Sequence, residues 1–260
     1  MDKPSIDPLN ASLPPPRRNR WAVATLRLGY RIQRNWFAVF VALTGIFVAG
    51  PWLAPLFMNA GWTGPAKGVY TTYSFFCHQL PQRSFFLFGP STSLSLEQVR
   101  SIWSDTNNPM ILRQFVGNPQ VGYKVAWSDR MVSMYTSIPL TALAWWPFRR
   151  RLRPLPFWAF AVLILPMTVD GLSHVVSDMA GIGLGFRDTN AWLGGLTGWS
   201  LPATFYAGDA LGSFNSWMRL ISGVLFGIGL VGFTFPYLQT SFAATAEQIE
   251  VKFTRAGVAL

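Results

Sequence analysis

Four long stretches of this chain carry no charged side chain: residues 35–66, 131–148, 154–169 and 220–246. An ionised side chain at the centre of a bilayer costs roughly 2.5–3.5 kcal/mol, so a membrane selects for charge-free apolar stretches. A helix needs about 20 apolar residues to cross roughly 30 Å of hydrocarbon. The first and last stretches reach that length, and the two between them are short. We expect an all-α, multi-pass membrane protein with about four transmembrane helices.

The charged residues are few and unevenly placed. They make up 12% of the chain, against about 25% in a soluble domain, and the formal net charge is +10. Basic side chains flank the apolar stretches, from Arg17 to Arg34 before the first and from Arg149 to Arg153 between the second and third. This is the positive-inside pattern, and it predicts contact with the anionic lipids of the inner leaflet. Nucleic acid is therefore not an expected partner.

The same pattern predicts a topology in the cell membrane. The N-terminus and C-terminus are expected in the cytoplasm, and two long extracytoplasmic segments are expected at residues 61–130 and 170–217. Residues 192–208 are also free of charge and could form a fifth span, which would move the C-terminus outside. Their glycines, serine and proline favour a re-entrant or surface segment instead.

The chain divides into three predicted regions. Residues 1–34 comprise a disordered, proline-rich start and a basic amphipathic helix beside the membrane, residues 35–238 form the helical membrane domain, and residues 239–260 form a cytoplasmic tail. The amphipathic helix is predicted because Trp21, Leu28 and Ile32 share one helical face and four arginines share another. A solvated linker is the alternative.

Polar side chains concentrate in the two predicted outward segments. Cys77, His78, Gln79 and Arg83 lie within seven residues, between aromatic pairs. Asp170, His174 and Asp178 are spaced four apart, so a helix would place them on one face. Arg187 and Asp188 precede Asn190 in a third polar segment.

These segments suggest a site at the outer membrane boundary. The hypothesis assigns catalysis to Cys77, His78, Asp170 and His174, and ligand binding to Gln79, Arg83, Arg130 and Asn190. Imidazole, thiolate and carboxylate could hold zinc or iron, or a histidine could act as a base with Asp170 orienting it, so the need for a metal stays unknown. In the alternative, the cluster is structural, and Arg83 and Arg130 pair with Asp170 or Asp188.

Two other features limit the possibilities. Cys77 is the single cysteine, which excludes an internal disulfide and any site built from several cysteines. Gly227, Gly229 and Gly232 match a dinucleotide-binding pattern, but they lie in an apolar stretch with no preceding strand. Gly223 and Gly227 are four residues apart, a spacing that favours close helix packing.

The segment Cys77-His78-Gln79-x-Pro81-x-Arg83-Ser84-Phe85 resembles the signature of a group of small prokaryotic membrane proteins that share a domain of unknown function. The resemblance extends weakly to Gly198. It departs from the group's pattern at Ser128 and Asp129, where the group often has a cysteine, and at His174, where it tends to have glutamine. The resemblance implies a multi-pass membrane protein and no particular reaction.

Two functional classes follow. A membrane-embedded enzyme, or a protein that binds a lipid-like or quinone-like ligand, would use the polar cluster as its site. A non-enzymatic accessory or assembly subunit would use its aromatic and glycine-rich surfaces to bind membrane-protein partners. A transporter is less favoured, because no inverted repeat is visible in the sequence.

Overall fold

The computed structural model describes residues 20–255 and residue 257, and it is mostly helical. The predicted disordered start lies largely outside the described residues. The helices are α1 (Arg20–Arg34), α2 (Trp36–Asn59), α3 (Thr63–Tyr73), α4 (Leu96–Ile102), α5 (Pro109–Leu112), α6 (Asp129–Trp145), α7 (Phe157–Asp178), α8 (Phe186–Thr189), α9 (Ala191–Thr197), α10 (Ala203–Tyr206) and α11 (Phe214–Arg255). The strands are β1 (Ser84–Leu87), β2 (Gly117–Asn118) and β3 (Gly122–Ser128).

Three helices are long and apolar enough to cross a membrane: α2, α7 and α11. The expected fourth span corresponds to α6, which has 17 residues. At 1.5 Å per residue it extends about 25 Å, less than the hydrocarbon thickness of roughly 30 Å. Three helices of full length thus support the expectation of about four spans only in part. The alternative prediction of a fifth span at residues 192–208 is wrong, because α9 and α10 contain seven and four residues and are too short to cross a bilayer.

Helix α7 has two chemically opposite faces. Val162, Leu165 and Val169 are exposed, as side chains that contact lipid would be. The buried residues of the helix are Asp170, His174 and Ser177. This arrangement is the reverse of that in a soluble helix, since ionisable residues of membrane helices turn toward the protein interior.

Small residues bring α6 and α11 close together. A Cβ atom on Gly223 or Gly227 would collide with Ser133 or Ser137, respectively. The two serines also join the helices, with the Ser133 hydroxyl donating to the carbonyl of Arg219 at 2.9 Å and that of Ser137 to the carbonyl of Gly223 at 2.8 Å. The interpretation of the glycines as packing residues is confirmed.

A small sheet forms within residues 61–130, the first predicted extracytoplasmic segment, for which no strand was expected. Its strand order is β1-β3-β2 and all its pairs are antiparallel, with Phe86 opposite Lys124. Gly122 has a φ of +82° and approaches the backbone of Gly89 too closely for a side chain. The all-α expectation is wrong here, because residues 84–128 fold outside the long apolar helices and pair their backbone groups as strands.

The sheet supports the loop that carries the Cys77–Arg83 signature. Trp127 of β3 is fully buried against Tyr70 and Tyr73 of α3. The ammonium of Lys124, also fully buried, donates to the carbonyls of Gln79 at 2.8 Å and Arg113 at 2.6 Å. Burial lowers the pKa of Lys124 to about 7. These contacts hold the loop against β3.

The chain forms two compact units. One contains α1, α2 as far as Val39, and α11 from Thr240 onward, and in it the ring of Trp36 stacks on that of Phe242 with centroids 5.2 Å apart. None of the residues of α1 is buried. The other unit, Phe40–Gln239, contains the small sheet and the candidate site.

Candidate functional site

Asp209 is the carboxylate at the centre of a buried ion network. Its Oδ2 lies 2.6 Å from Nε of Arg83, and its Oδ1 lies 2.8 Å from Nη1 of Arg219. Arg83 also binds Asp178 through two parallel hydrogen bonds of 2.7 Å each. The second carboxylate on Arg219 is that of Asp129, 2.8 Å from Nε. Two arginines are thereby joined to three aspartates.

A second branch of the network is centred on Asp170. Its Oδ1 accepts a hydrogen bond from Arg187 at 2.6 Å, and its Oδ2 forms an ion pair with Arg130 at 2.8 Å without hydrogen-bond geometry. His174 connects the branches, because its Nδ1 lies 2.9 Å from Nη2 of Arg130 and its Nε2 lies 3.3 Å from Nη1 of Arg219. The network therefore contains four arginines and four aspartates, and their formal charges cancel.

Burial strengthens these pairs. The side chains of Asp170 and Asp209 are each 5% exposed, and that of Arg219 is 2% exposed. Burial alone would lower the pKa of Arg83, but the carboxylates of Asp209 and Asp178 more than offset it, so the pKa stands above its usual value. Burial alone would likewise raise the pKa of Asp209, yet Arg83, His174 and Arg219 hold it well below its usual range. Both groups are thus charged in the folded protein.

Local structure explains how the charges meet. Helical periodicity places Asp170, His174 and Asp178 on the inward side of α7, and α11 contributes Arg219 from its second turn. Arg83 ends a short 3-10 turn that begins at Pro81. The loop before α11 is held by Asn215, whose amide donates to the carbonyls of Arg187 at 2.6 Å and Gly208 at 2.9 Å.

A cavity of about 550 Å³ opens beside the network. One part of its wall is apolar and includes Phe76, Val175 and Met179, all of which are exposed. The remaining wall is polar and includes Cys77, His78, Gln79, Arg83, Ser128, Asp129, Arg130, His174, Asp178 and Arg219. Charged groups and an exposed apolar surface therefore face the same space.

Arg130 differs from Arg83 and Arg219 in the use of its donors. Within residues 20–255, its Nη2 contacts Asp170 and His174, whereas no hydrogen bond is made by its Nε or Nη1. The Nη1 atom lies close to Gly171, where a Cβ would stand 3.0 Å away. Arg130 thus has unused donors beside the cavity.

The structure brings five predicted site residues besides Arg130 to the cavity. They are Cys77, His78, Gln79, Arg83 and His174. Asp170 lies behind them and binds Arg130, while Asn190 is placed elsewhere, with its amide donating to the carbonyl of Tyr206 at 3.2 Å. Most of the predicted site residues therefore lie together at one cavity, as expected, and their roles are a matter for experiment.

The thiol and the imidazoles are not arranged as a nucleophile with its base. The sulfur of Cys77 accepts hydrogen bonds from the backbone N–H groups of Gln79 and Ser128, each at 3.3 Å. His78 is exposed, and in the part of the chain that the structure describes no hydrogen bond joins Cys77 to His78 or His174. No group of three or more metal-binding side chains is found among the same residues. The arrangement is suited to binding polar groups through hydrogen bonds.

The expected partners of the arginines are partly corrected. The pair of Arg130 with Asp170 is confirmed. The expectation that Arg83 pairs with Asp170 or Asp188 is wrong, because its partners are Asp178 and Asp209. Asp178 lies at the end of α7, close to the 3-10 turn that carries Arg83, whereas Asp188 accepts a hydrogen bond from the N–H of Gly185 at 3.0 Å.

Sequence reasoning missed several members of the network. Arg219 directly precedes the last apolar stretch, and this position at the edge of a span is a usable signal. Asp129 and Arg187 lie in polar segments whose sequence pattern assigns them no role. Asp209 follows a glycine in a loop with no regular pattern, so no local signal identifies it.

Three helices able to cross a bilayer, with ionisable side chains turned inward, indicate a helical membrane protein. No family model matches the chain, and no solved structure matches it. The chain is similar to an uncharacterized protein of Methanocaldococcus jannaschii, with 25% identity over 152 residues that cover 55% of this chain and 76% of that protein. This similarity assigns no activity.

Replacing Asp209 with asparagine should destabilise the protein strongly. The change removes the charge shared by Arg83 and Arg219, and breaking a buried pair typically costs about 3–5 kcal/mol. Asp105→Asn is the matched control, because the Asp105 side chain is 92% exposed and lies 3.8 Å from Arg100. Thermal unfolding in detergent should show a large loss for Asp209→Asn and almost none for the control. Equal, small losses would contradict the central place of Asp209.

Proposed function

We propose that the protein binds the polar head group of a membrane amphiphile in the cavity beside the ion network. The observation that carries the proposal is the cavity wall, which combines unused hydrogen-bond donors with an exposed apolar surface of the span α7. Pockets for small molecules are typically apolar with a few placed polar groups, and a volume of about 300–1,000 Å³ is usual. The observed volume of about 550 Å³ is in that range.

The apolar wall suggests how such a molecule enters. Val175 and Met179 lie on the exposed side of α7, one turn apart, and they continue the face formed by Val169 and Leu172. Lipid chains would contact this face in a membrane. An apolar tail could therefore remain along α7 while the head group occupies the cavity.

The available donors define the head group. The guanidinium groups of Arg83 and Arg219 are already bound to carboxylates. Within residues 20–255, Nε and Nη1 of Arg130 and the exposed imidazole of His78 make no hydrogen bond and line the cavity side, so they are available to a ligand. These groups favour a ligand with oxygen acceptors, such as the carbonyl of a quinone or the phosphate or ester oxygens of a lipid. The network as a whole is neutral, so the site does not require an anion.

Binding is preferred over catalysis for a geometric reason. A cysteine nucleophile needs a base within hydrogen-bond reach, and the sulfur of Cys77 is held by two backbone N–H groups instead. The accessory-subunit alternative assigns the whole network to structure, and it predicts that changes in the cavity leave bound lipid unaffected.

Filling the cavity should displace the amphiphile. Val175 lines the cavity and is 60% exposed, whereas its neighbour Val176 is 59% exposed and does not line it. Val175→Trp should therefore reduce the amount of bound lipid or quinone at least several-fold, and Val176→Trp should not. Mass spectrometry of molecules extracted from the purified proteins, quantified per mole of protein, measures the difference. Wild type without a bound amphiphile, or equal amounts in both variants, would favour the accessory-subunit alternative.

We also propose that the cavity faces the outside of the cell membrane. The arginines from Arg149 to Arg153 lie between α6 and α7, at the ends of these helices opposite the network. Basic turns are retained in the cytoplasm by the positive-inside rule.

Labelling tests this orientation. Single cysteines at Ser101 and Arg151, both exposed, are introduced into a Cys77→Ala background and treated with a membrane-impermeant maleimide in intact cells. Ser101→Cys should react and Arg151→Cys should react only after lysis. Reaction of both, or the reverse pattern, would show that the orientation is wrong.

A further inference from the structure

Gln82 is a buried amide with an unexplained environment. It lies in the turn between Pro81 and Arg83 and is 3% exposed. Within the described residues, neither its Nε2 nor its Oε1 has a hydrogen-bond partner. Buried amides are almost always paired, because an unpaired one loses its hydrogen bonds to water and gains nothing in return.

The side chain borders a second, much smaller cavity, which shares Arg83 and Asp129 with the lining of the candidate ligand site. Its volume is about 10 Å³, close to the minimum space that holds one water molecule. Besides Gln82, its polar lining residues are Arg83, Asp129 and Asp209, which belong to the ion network, and Ser84 and Ser93, while Phe85 and Leu211 are its apolar lining residues. The space is therefore small, and its wall offers both hydrogen-bond donors and acceptors.

We propose that this cavity is a binding site for one ordered water, which joins the amide of Gln82 to the carboxylates of the network. The Nε2 group donates to the water, and the water in turn donates to an oxygen of Asp129 or Asp209. A buried water needs two to four polar partners, and this lining supplies them.

The charge of the lining argues for water rather than an ion. A metal cation would lie beside the guanidinium of Arg83, and the carboxylates that could bind it already neutralise Arg83 and Arg219. An anion would face the carboxylates of Asp129 and Asp209. A neutral molecule that both donates and accepts hydrogen bonds avoids the repulsion from Arg83 that a cation would meet and the repulsion from the carboxylates that an anion would meet.

The water gives Gln82 a role as a positioning residue. Gln82 directly precedes Arg83, so a hydrogen-bonded bridge from its side chain to the network fixes the turn that aims the guanidinium. This role is independent of the amphiphile, and it assigns a function to a position within the signature that was not singled out as a site residue.

Gln82→Met tests the proposal through the sign of the stability change. Methionine has nearly the same size but makes no such hydrogen bonds. If water bridges the amide, the substitution removes favourable bonds and should lower the Tm by roughly 2–4 °C. If the amide is truly unpaired, the substitution replaces a costly polar group with an apolar one and should raise the Tm or leave it unchanged, which would overturn the proposal.

Two further measurements make the outcome specific. Gln120→Met, at an exposed position, is the control for the general effect of the substitution and should leave the Tm unchanged. A density map of the wild type that resolves ordered waters should show one peak within hydrogen-bond distance of the Gln82 amide and of a network carboxylate. An empty cavity in such a map would overturn the proposal even if Gln82→Met were destabilising.

Discussion

A guanidinium that is removed from water needs a carboxylate partner, and this requirement organises the part of the molecule that holds the candidate site. Asp209 satisfies it for Arg83 and Arg219 together. Arg83 belongs to the signature loop, Arg219 belongs to α11, and Asp209 lies in the segment before α11. The shared carboxylate therefore connects the signature loop, that segment and α11. Buried charges of this kind are stable only as complete sets, since the loss of one partner leaves another charge uncompensated.

The pairing of all four arginines with aspartates also explains why the ion network beside the cavity carries no net charge. Arg83 and Arg219 use their donors within the protein. Arg130 binds Asp170 and His174 through Nη2 alone, and it also lines the cavity. Gly171 contributes to this by leaving room for the guanidinium of Arg130. A neutral network with a few free donors beside an apolar wall is well matched to a head group with oxygen acceptors and an apolar tail.

Much of this arrangement could be predicted from local sequence. Charge-free stretches identified α2, α7 and α11, and spacing by four placed Asp170 and His174 on one helix face. The sheet was not predictable in the same way, because β1 and β3 are separated by a long segment, and pairing between distant segments leaves no local pattern in the sequence. Asp209 was missed for a related reason, since a loop residue acquires its meaning from partners distant in sequence.

In the proposed function, Arg130 holds the head group with the donors that the network does not use. Arg130→Lys tests it most directly, because lysine retains the charge opposite Asp170 but lacks the forked donors of arginine. The account predicts that bound amphiphile per mole of purified protein falls at least tenfold while the Tm stays close to that of the wild type. Unchanged bound amphiphile, or a loss that only parallels a loss of folded protein, would contradict it.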